Sequence, residues 1–170
     1  MDVSETADQT SDQSSDQTSD QTVLIIGAGQ AGAQCAASLR RNGFAGRIVM
    51  AGAEAHPPYQ RPPLSKGYLL GDMEADHLWL QTPETWAEQN VELRTSAHAE
   101  KIDREAKIVD FADGEAQAYD HLVLATGARV RQLPLDAGKL PVRYLRSLDD
   151  VDALRSDFAP GKTIAVIGGG

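Results

Sequence analysis

A short apolar run that leads into a glycine-rich turn restricts the possible folds of this chain more than any other feature. Val23 to Ile26 is continuously apolar, and residues 27–32 read GAGQAG, which has the spacing GxGxxG. Short apolar runs bounded by glycine are typical of strands buried on both faces of a parallel sheet. A glycine-rich turn directly after such a strand lies where a dinucleotide-binding fingerprint belongs.

A helix and a second strand follow this turn. Residues 31–41 contain small apolar side chains suited to close helix packing, and Asn42-Gly43 would end the helix. Residues 47–50 (RIVM) are again mostly apolar and predict a second buried strand. Because parallel strands need a crossover of this kind, the segment predicts a βαβ unit.

Glycine is expected at each of these three positions for a different physical reason. Gly27 permits the tight bend, Gly29 lets a pyrophosphate approach the backbone, and Gly32 lets the helix pack closely on the strand. The helix N-terminus then offers unpaired N–H groups and a partial positive charge to phosphate. Glu54, about twenty residues further on, can accept a hydrogen bond from a ribose hydroxyl. An acid there disfavours a 2′-phosphate, so the turn predicts FAD or NAD rather than NADP.

The remaining segments continue an α/β pattern. Residues 56–64 are rich in proline, which excludes a central strand or a helix interior. Helices are predicted at residues 64–70, at residues 83–89 with Thr82 as N-cap, and at residues 147–158 with Ser147 as N-cap. The predicted strands are residues 91–93, 99–102, 107–111, 121–125 and 163–167, of which the last two read as buried.

Composition limits the possible functions. The 170 residues include 24% charged residues and no apolar run of membrane-spanning length, so we expect a globular protein of the cytoplasm. The single cysteine, Cys35, excludes a redox pair within the chain and reads as a small buried hydrophobe. Six of the nine net negative charges lie in residues 1–22, a Ser/Asp/Gln-rich repeat that predicts a disordered tail. The acidity argues weakly against nucleic acid binding, which usually needs a basic face.

Later segments of the chain resemble one flavoprotein family. Residues 58–66 (PYQRPPLSK), 122–129 (LVLATGAR) and 144–150 (YLRSLDD) occur in the order found in the ferredoxin reductases of oxygenase systems. This group includes putidaredoxin, rhodocoxin and rubredoxin reductases and the reductase components of aromatic-ring dioxygenases. It belongs to the FAD-dependent pyridine nucleotide-disulfide oxidoreductase superfamily. Residues 167–170 (IGGG) are similar to the start of the family's NAD-binding turn.

The resemblance implies a Rossmann-like α/β FAD-binding domain with a small antiparallel β element, followed by a second Rossmann domain for NAD. Residues 23–160 would then be an incomplete FAD domain, and residues 161–170 the first strand and glycine turn of a truncated NAD domain. We therefore expect an N-terminal fragment with weak or absent FAD retention and no NADH-driven reductase activity on its own. In the complete protein, NADH would reduce FAD by hydride transfer, and electrons would pass singly to a ferredoxin or rubredoxin.

The resemblance also implies roles for individual residues. Lys66 would be the catalytic residue, near the N5–O4 edge of the flavin, where a cation stabilises the reduced anionic form. The FAD-binding set would comprise the first turn and several later positions: Gly27, Gly29, Ala31, Gly32, Ala53, Glu54, Arg61, Lys66, Ala99, Thr126, Gly127 and Arg146. Ala53 departs from the family, because members often carry an acid there.

Two other functions stay open at this stage. A flavin-dependent NADH oxidase or a disulfide reductase would share the fold, but it needs a cysteine near the flavin, and residues 56–66 contain none. A non-catalytic nucleotide-binding remnant would keep the turn without the chemistry. No metal site is expected, because the four histidines lack ligand spacing. The choice between NADH and NADPH is left open, since that site would follow Gly170.

Overall fold

A computed structural model describes residues 19–134, 141–158 and 160–168. These residues form two compact units, one containing residues 19–59 and 79–127 and the other containing residues 60–78 and the described residues from 128 onward. In chain order the elements are β1 (Thr22–Ile26), α1 (Gln30–Arg41), β2 (Arg47–Ala51), a 3₁₀ helix (Pro62–Ser65), α2 (Gly67–Leu70), a 3₁₀ helix (Ala75–Leu78), α3 (Pro83–Glu88), β3 (Val91–Arg94), β4 (Ala99–Asp103), β5 (Ile108–Phe111), β6 (Ala116–Ala118), β7 (His121–Leu124) and α4 (Leu148–Arg155).

The first unit is built on a parallel sheet with the strand order β3-β2-β1-β7. Val23 of β1 is opposite Ile48 of β2 on one side and His121 of β7 on the other. Ile48 is in turn opposite Val91 of β3. The predicted βαβ unit is confirmed, because α1 carries the chain from β1 to its parallel neighbour β2. Thr82 also caps α3 as predicted, since its hydroxyl accepts from the N–H of Thr85.

Both faces of this sheet are covered. One core joins alternate residues of β1 and β2 to α1 and α3, and its buried members are Val23, Ile25, Ala33, Ala36, Ile48, Met50, Trp86 and Val91. The opposite core contains the other strand residues and part of the antiparallel sheet: Leu24, Ile26, Val49, Ala51, Ala97, Val109, Phe111 and Tyr119. Strands covered on both faces read as continuous apolar runs, which is why β1 and β2 were recognisable. Cys35 is half-buried beside the first core, less enclosed than predicted.

A small antiparallel sheet with the order β4-β5-β6 completes the first unit. β4 and β5 lie where strands are predicted, and Gly114 turns the chain towards β6 with a φ of +86°. The sequence does not predict β6, because Ala-Gln-Ala has a low strand propensity. Its pairing with β5, where Gln117 is opposite Val109, supplies the hydrogen bonds that the local sequence does not favour.

Strand β7 is at the edge of the parallel sheet, so the prediction that it is buried is wrong. Among the described residues it pairs only with β1, and Leu124 is 61% exposed. Leu122 and Val123 are half-buried. The apolar run identified the strand, but it could not show whether both of its sides have neighbours. Ala125 follows the strand rather than belonging to it.

The second unit contains the 3₁₀ helices, α2 and α4. Ser147 begins α4 with a capping box: its hydroxyl accepts from the N–H of Asp150 at 3.2 Å, and the Asp150 carboxylate accepts from the N–H of Ser147 at 2.8 Å. The predicted cap is confirmed, although the helix ends at Arg155 rather than Phe158. The single helix predicted at residues 64–70 forms two pieces, because Lys66 has non-helical φ and ψ of −132° and −118°.

The strand predicted at residues 163–167 is also wrong. Residues 162–168 have no regular secondary structure, and Val166 and Ile167 are 80% and 72% exposed. A strand depends on hydrogen bonds to a neighbour, and none of the strands in the described residues pairs with this segment. The predicted tail overlaps the fold slightly, because Thr22 already belongs to β1. Residues 1–18 and 169–170 lie outside the described residues.

Candidate dinucleotide-binding site

The turn between β1 and α1 lies against the ends of both neighbouring strands. The N–H of Gly27 donates to the carbonyl of Ala51, the last residue of β2, at 2.8 Å. Gly27 has a φ of +117°, and a Cβ there would lie 2.1 Å from the carbonyl oxygen of Ala125, just after β7. Glycine is therefore required for the bend, as predicted, by both backbone conformation and space.

Gly32 has no room for a side chain, whereas Gly29 does. A Cβ on Gly32 would lie 1.9 Å from the carbonyl oxygen of Gly27, so glycine lets α1 begin this close to β1. A Cβ on Gly29 would have no atom within 4 Å, and its φ of −96° is open to other residues. The fold itself does not require glycine at position 29. The open space beside it fits the approach of a group from outside the chain.

The start of α1 is suited to an anion. No side chain caps this helix of 12 residues, and its first turn contains no acidic residue. The first helical hydrogen bond runs from the N–H of Ala33 to the carbonyl of Gly29, at 3.0 Å. The N–H groups of the first turn, which includes the exposed Ala31, have no acceptor within the helix and carry a partial positive charge.

The acid predicted at the ribose lies in the loop after β2. Glu54 is half-buried and its neighbour Ala53 is exposed. The Glu54 carboxylate accepts a hydrogen bond from the hydroxyl of Tyr59 at 2.5 Å, and the Glu54 carbonyl accepts from the N–H of Ser96 at 2.9 Å. Parallel strands end at the same edge of a sheet, so Glu54 and the glycine-rich turn follow neighbouring strands at one edge.

Gly52 is a site residue that the sequence reasoning missed. A Cβ on Gly52 would lie 2.6 Å from the Cβ of Ala28, so glycine allows the end of β2 to pack on the turn. Its N–H donates to the carbonyl of Arg94, and its carbonyl accepts from the N–H of Ala97, each at 2.8 Å. A glycine directly after the second strand of a βαβ unit was the signal that could have found it.

The other predicted site residues of the first unit lie in two places, after β7 and at the start of β4. The main chain of Thr126 reaches the turn, since a Cβ on Gly27 would be 3.0 Å from the Thr126 nitrogen. Thr126 and Gly127 are exposed, and Gly127 has a φ of +67°. Ala99, at the start of β4, is half-buried against the second core rather than against the turn.

In the second unit, Arg61 and Arg146 lie together. The Arg61 guanidinium donates to the Arg146 carbonyl at 2.6 Å, and the Arg146 N–H donates to the Asp150 carboxylate at 3.0 Å. Burial acts to raise the pKa of Asp150, but hydrogen bonds from Ser147 and Arg146 and the charge of Arg61 outweigh it. The pKa of Asp150 is therefore lowered. Arg61 thus supports the N-terminal cap of α4.

Lys66 is exposed at the junction between the first 3₁₀ helix and α2, and its N–H donates to the carbonyl of Pro63 at 2.9 Å. The segment that follows is anchored to α4 by Tyr68. The Tyr68 hydroxyl donates to Asp152 at 2.8 Å, and the Arg155 guanidinium lies 4.1 Å above the ring. Burial and the Asp152 carboxylate raise the pKa of Tyr68 to about 12.

The first unit therefore has the parts needed to bind the ADP portion of a dinucleotide. Gly29 leaves space beside the backbone, α1 begins next to it without a side-chain cap, and Glu54 places an acceptor at the same sheet edge. No group of three or more metal-binding side chains occurs in residues 19–134, 141–158 and 160–168. These residues fit a phosphate-containing ligand that carries a ribose.

Comparisons with known proteins agree with this geometry. Rhodocoxin reductase of Rhodococcus erythropolis is 43% identical over 150 residues, which are 88% of this chain and 35% of that protein. Putidaredoxin reductase CamA of Pseudomonas putida is 41% identical over 152 residues, or 87% of this chain and 36% of that protein. The chain thus spans little more than a third of the length of these relatives.

Solved structures of two reductases are also similar to this chain. The covalent putidaredoxin reductase–putidaredoxin complex contains a chain with a TM-score of 0.75 and 41% identity, covering 80% of this chain and 34% of that one. The ferredoxin reductase for the CYP199A2 system of Rhodopseudomonas palustris has a TM-score of 0.75 and 46% identity, covering 81% and 34%. The predicted resemblance and the Rossmann-like α/β fold are confirmed.

The family match covers almost the whole described chain. Residues 21–170 match the family described as pyridine nucleotide-disulphide oxidoreductase. Members of this family use FAD and a pyridine nucleotide. The glycine-rich turn, the acid after β2 and the two covered faces of the sheet all agree with that match. The chain belongs to the pyridine nucleotide-disulphide oxidoreductase family.

Proposed function

We propose that this chain supplies FAD-binding residues of an NADH:ferredoxin reductase, which passes electrons from NADH through FAD to a small iron–sulfur protein of an oxygenase system. The single observation that carries the proposal is the open space at Gly29, next to a helix start that lacks any side-chain cap. The proposal of a ferredoxin or rubredoxin as partner is supported by relatives, among them a rubredoxin–NAD(+) reductase of Pseudomonas putida that is 37% identical over 149 residues.

The first unit would bind the ADP portion of FAD. Gly29, Ala31 and Gly32 would present main-chain N–H groups to the pyrophosphate, which a helix N-terminus favours. Gly27, whose own N–H donates to Ala51, would contribute the tight bend that brings them there. Glu54 would accept from a ribose hydroxyl, with the exposed Ala53 beside it. The main chain at Ala99 would contact the adenine, and Thr126-Gly127 would pass close to the cofactor.

The second unit would supply positive charge. Lys66 is exposed and would interact with the flavin ring system, where a cation favours the reduced form. Arg61 and Arg146, which share a hydrogen bond, would lie on the phosphate and flavin side. When bound, FAD supplies the conversion between hydride transfer and single-electron transfer, and the protein contributes position and charge.

The cellular setting follows from the same proposal. No helix in the described part of the chain is long and apolar enough to cross a membrane. We propose the cytoplasm as the location, because the proposed reaction uses NADH, a cofactor of the cell interior. A disulfide reductase receives less support, because Cys35 lies in α1 and packs beside the core rather than in residues 56–66.

Titration of the purified chain with FAD tests the binding part of this proposal. Flavin fluorescence should be quenched in a saturable manner, and added ADP should reverse the quenching because it competes for the first unit. Riboflavin, which lacks the phosphates and the adenosine, is the matched control ligand. Equal quenching of riboflavin and FAD, with no competition by ADP, would contradict the proposal.

The electron-transfer part needs a second assay on the gene product that contains this chain. NADH oxidation coupled to cytochrome c reduction should depend on an added ferredoxin or rubredoxin. Lys66→Met should lower that rate by about tenfold or more, a loss of roughly 1.4 kcal/mol of transition-state stabilisation. A rate that is indifferent to any iron–sulfur protein would overturn the proposed reaction while leaving FAD binding intact.

A further inference from the structure

Tyr59 is a buried residue of the proline-rich segment to which sequence reasoning assigned no role. Only 5% of its surface is exposed, and its hydroxyl donates to the Oε2 atom of Glu54 at 2.5 Å. A phenol that donates to a carboxylate forms a charge-assisted hydrogen bond, which is shorter and stronger than one between neutral groups. The hydroxyl of this buried ring thus donates its hydrogen bond to Glu54, the acid proposed to bind the ribose.

The main chain around Tyr59 is held in place. Tyr59 forms an antiparallel bridge with Trp79, and the N–H of Leu80 donates to the carbonyl of Pro58 at 2.8 Å. Pro58 is fully buried. The His56 ring meets the Tyr59 ring edge-on, with ring centres 6.3 Å apart. These contacts restrict the ring, so its hydroxyl defines a nearly fixed point for the carboxylate.

The main chain of Glu54 is held as well, by the hydrogen bond from Ser96. With its backbone fixed, the remaining freedom of Glu54 is the rotation of its long side chain. Glutamate loses considerable rotamer entropy when it is ordered. A hydrogen bond from Tyr59 orders the carboxylate in the folded protein, so a ligand does not have to do so on binding, and pre-ordering of this kind increases affinity.

We propose that Tyr59 is a positioning residue that holds the Glu54 carboxylate towards the ribose and so determines selectivity for nucleotides with a free 2′-hydroxyl. The inference rests on the proposed dinucleotide site and adds a specificity device to it. A fixed carboxylate accepts from the 2′-hydroxyl of ADP or FAD, gains nothing from a 2′-deoxyribose and repels a 2′-phosphate. Tyr59 acts only through Glu54 and does not itself contact the ligand.

The test compares binding of ADP and 2′-deoxy-ADP to the full chain, measured by calorimetry or by NMR titration. The wild-type chain should prefer ADP by about tenfold, the value expected for one hydrogen bond to a charged acceptor. Tyr59→Phe keeps the ring and removes the hydroxyl, and should reduce that preference to about threefold or less. Glu54→Ala should abolish it, and Tyr59→Phe should have no further effect in the Glu54→Ala background.

A matched control separates positioning from stability. Tyr119→Phe removes the hydroxyl of another buried tyrosine of the first unit, and should leave the preference for ADP unchanged. If Tyr59→Phe weakened both ligands equally, its role would be structural and the inference would be overturned. If the wild-type chain bound both ligands equally well, this inference would fail while phosphate binding stood. If it bound neither, the proposed site would fail, and the inference with it.

Discussion

Substitution of two glycines in the same turn by alanine should have opposite consequences, because one side chain would enter empty space and the other would enter the backbone. At Gly29 the new Cβ meets no atom within 4 Å, and φ and ψ of −96° and −166° suit alanine. At Gly32 it would lie 1.9 Å from the Gly27 carbonyl oxygen and 3.3 Å from the Ile25 side chain. Gly29→Ala therefore tests whether a ligand occupies the space beside the backbone, and Gly32→Ala tests the packing of α1 against β1.

The expected magnitudes follow from these contacts. Gly29→Ala gains about 0.4–1 kcal/mol by restricting the unfolded chain, and loses a similar amount because glycine is the better N-cap. The net change in the free energy of unfolding should stay within about 0.5 kcal/mol, or about 2 °C in Tm. Gly32→Ala forces backbone atoms apart and should cost about 3 kcal/mol, the upper end of the usual overpacking range. A loss of that size lowers Tm by about 6–12 °C.

Thermal unfolding by circular dichroism and FAD titration together provide the assay. Gly29→Ala should unfold like the wild-type chain yet bind FAD at least about tenfold more weakly, because its methyl group occupies the space beside the backbone. Gly32→Ala should lose stability first and binding as a result. Two results would refute the reasoning: a Gly29→Ala chain as unstable as Gly32→Ala, or one that binds FAD with unchanged affinity.

Four further substitutions are predicted to lower stability. Tyr68→Phe should cost about 1 kcal/mol near neutral pH. Because the folded-state pKa of Tyr68 is raised, this contribution should fade only above about pH 10 and vanish in alkaline denaturation curves. The pKa of Asp150 is lowered, so its carboxylate stabilises the wild-type chain above about pH 4 and this contribution is lost in acid; Asp150→Asn should remove it. Ser147→Ala, which removes the N-cap hydroxyl, should cost about 1 kcal/mol. Trp86→Ala should cost about 3–5 kcal/mol in urea titrations, since Trp86 is fully buried.

The parts of the fold set by local chemistry could be predicted from the sequence. The βαβ unit was predictable because two strands covered on both faces must be apolar throughout, and because Gly27 and Gly32 are required by the turn whatever follows. The caps at Thr82 and Ser147 were predictable for a similar reason, since a short polar side chain before a helix has a defined N–H partner.

Features that depend on distant neighbours could not be predicted in this way. Residues 163–167 have the composition of a buried strand, but a strand also needs a partner, and composition carries no information about one. β6 shows the reverse, since a poor strand sequence pairs because β5 lies beside it. Tyr59 escaped notice because its importance lies in its contact with Glu54, which sequence spacing does not reveal.

The most direct test of the central claim is an NMR titration of the ¹⁵N-labelled chain with ADP, which carries the diphosphate and the ribose in one small ligand. Saturable shifts should be largest at the amides of Gly29, Ala31 and Gly32, with a second group near Glu54. In the Gly29→Ala chain the same shifts should need at least about tenfold more ADP to saturate. If ADP left the amides of the turn between β1 and α1 unchanged at saturating concentration, this turn would not bind a diphosphate and the account would be contradicted.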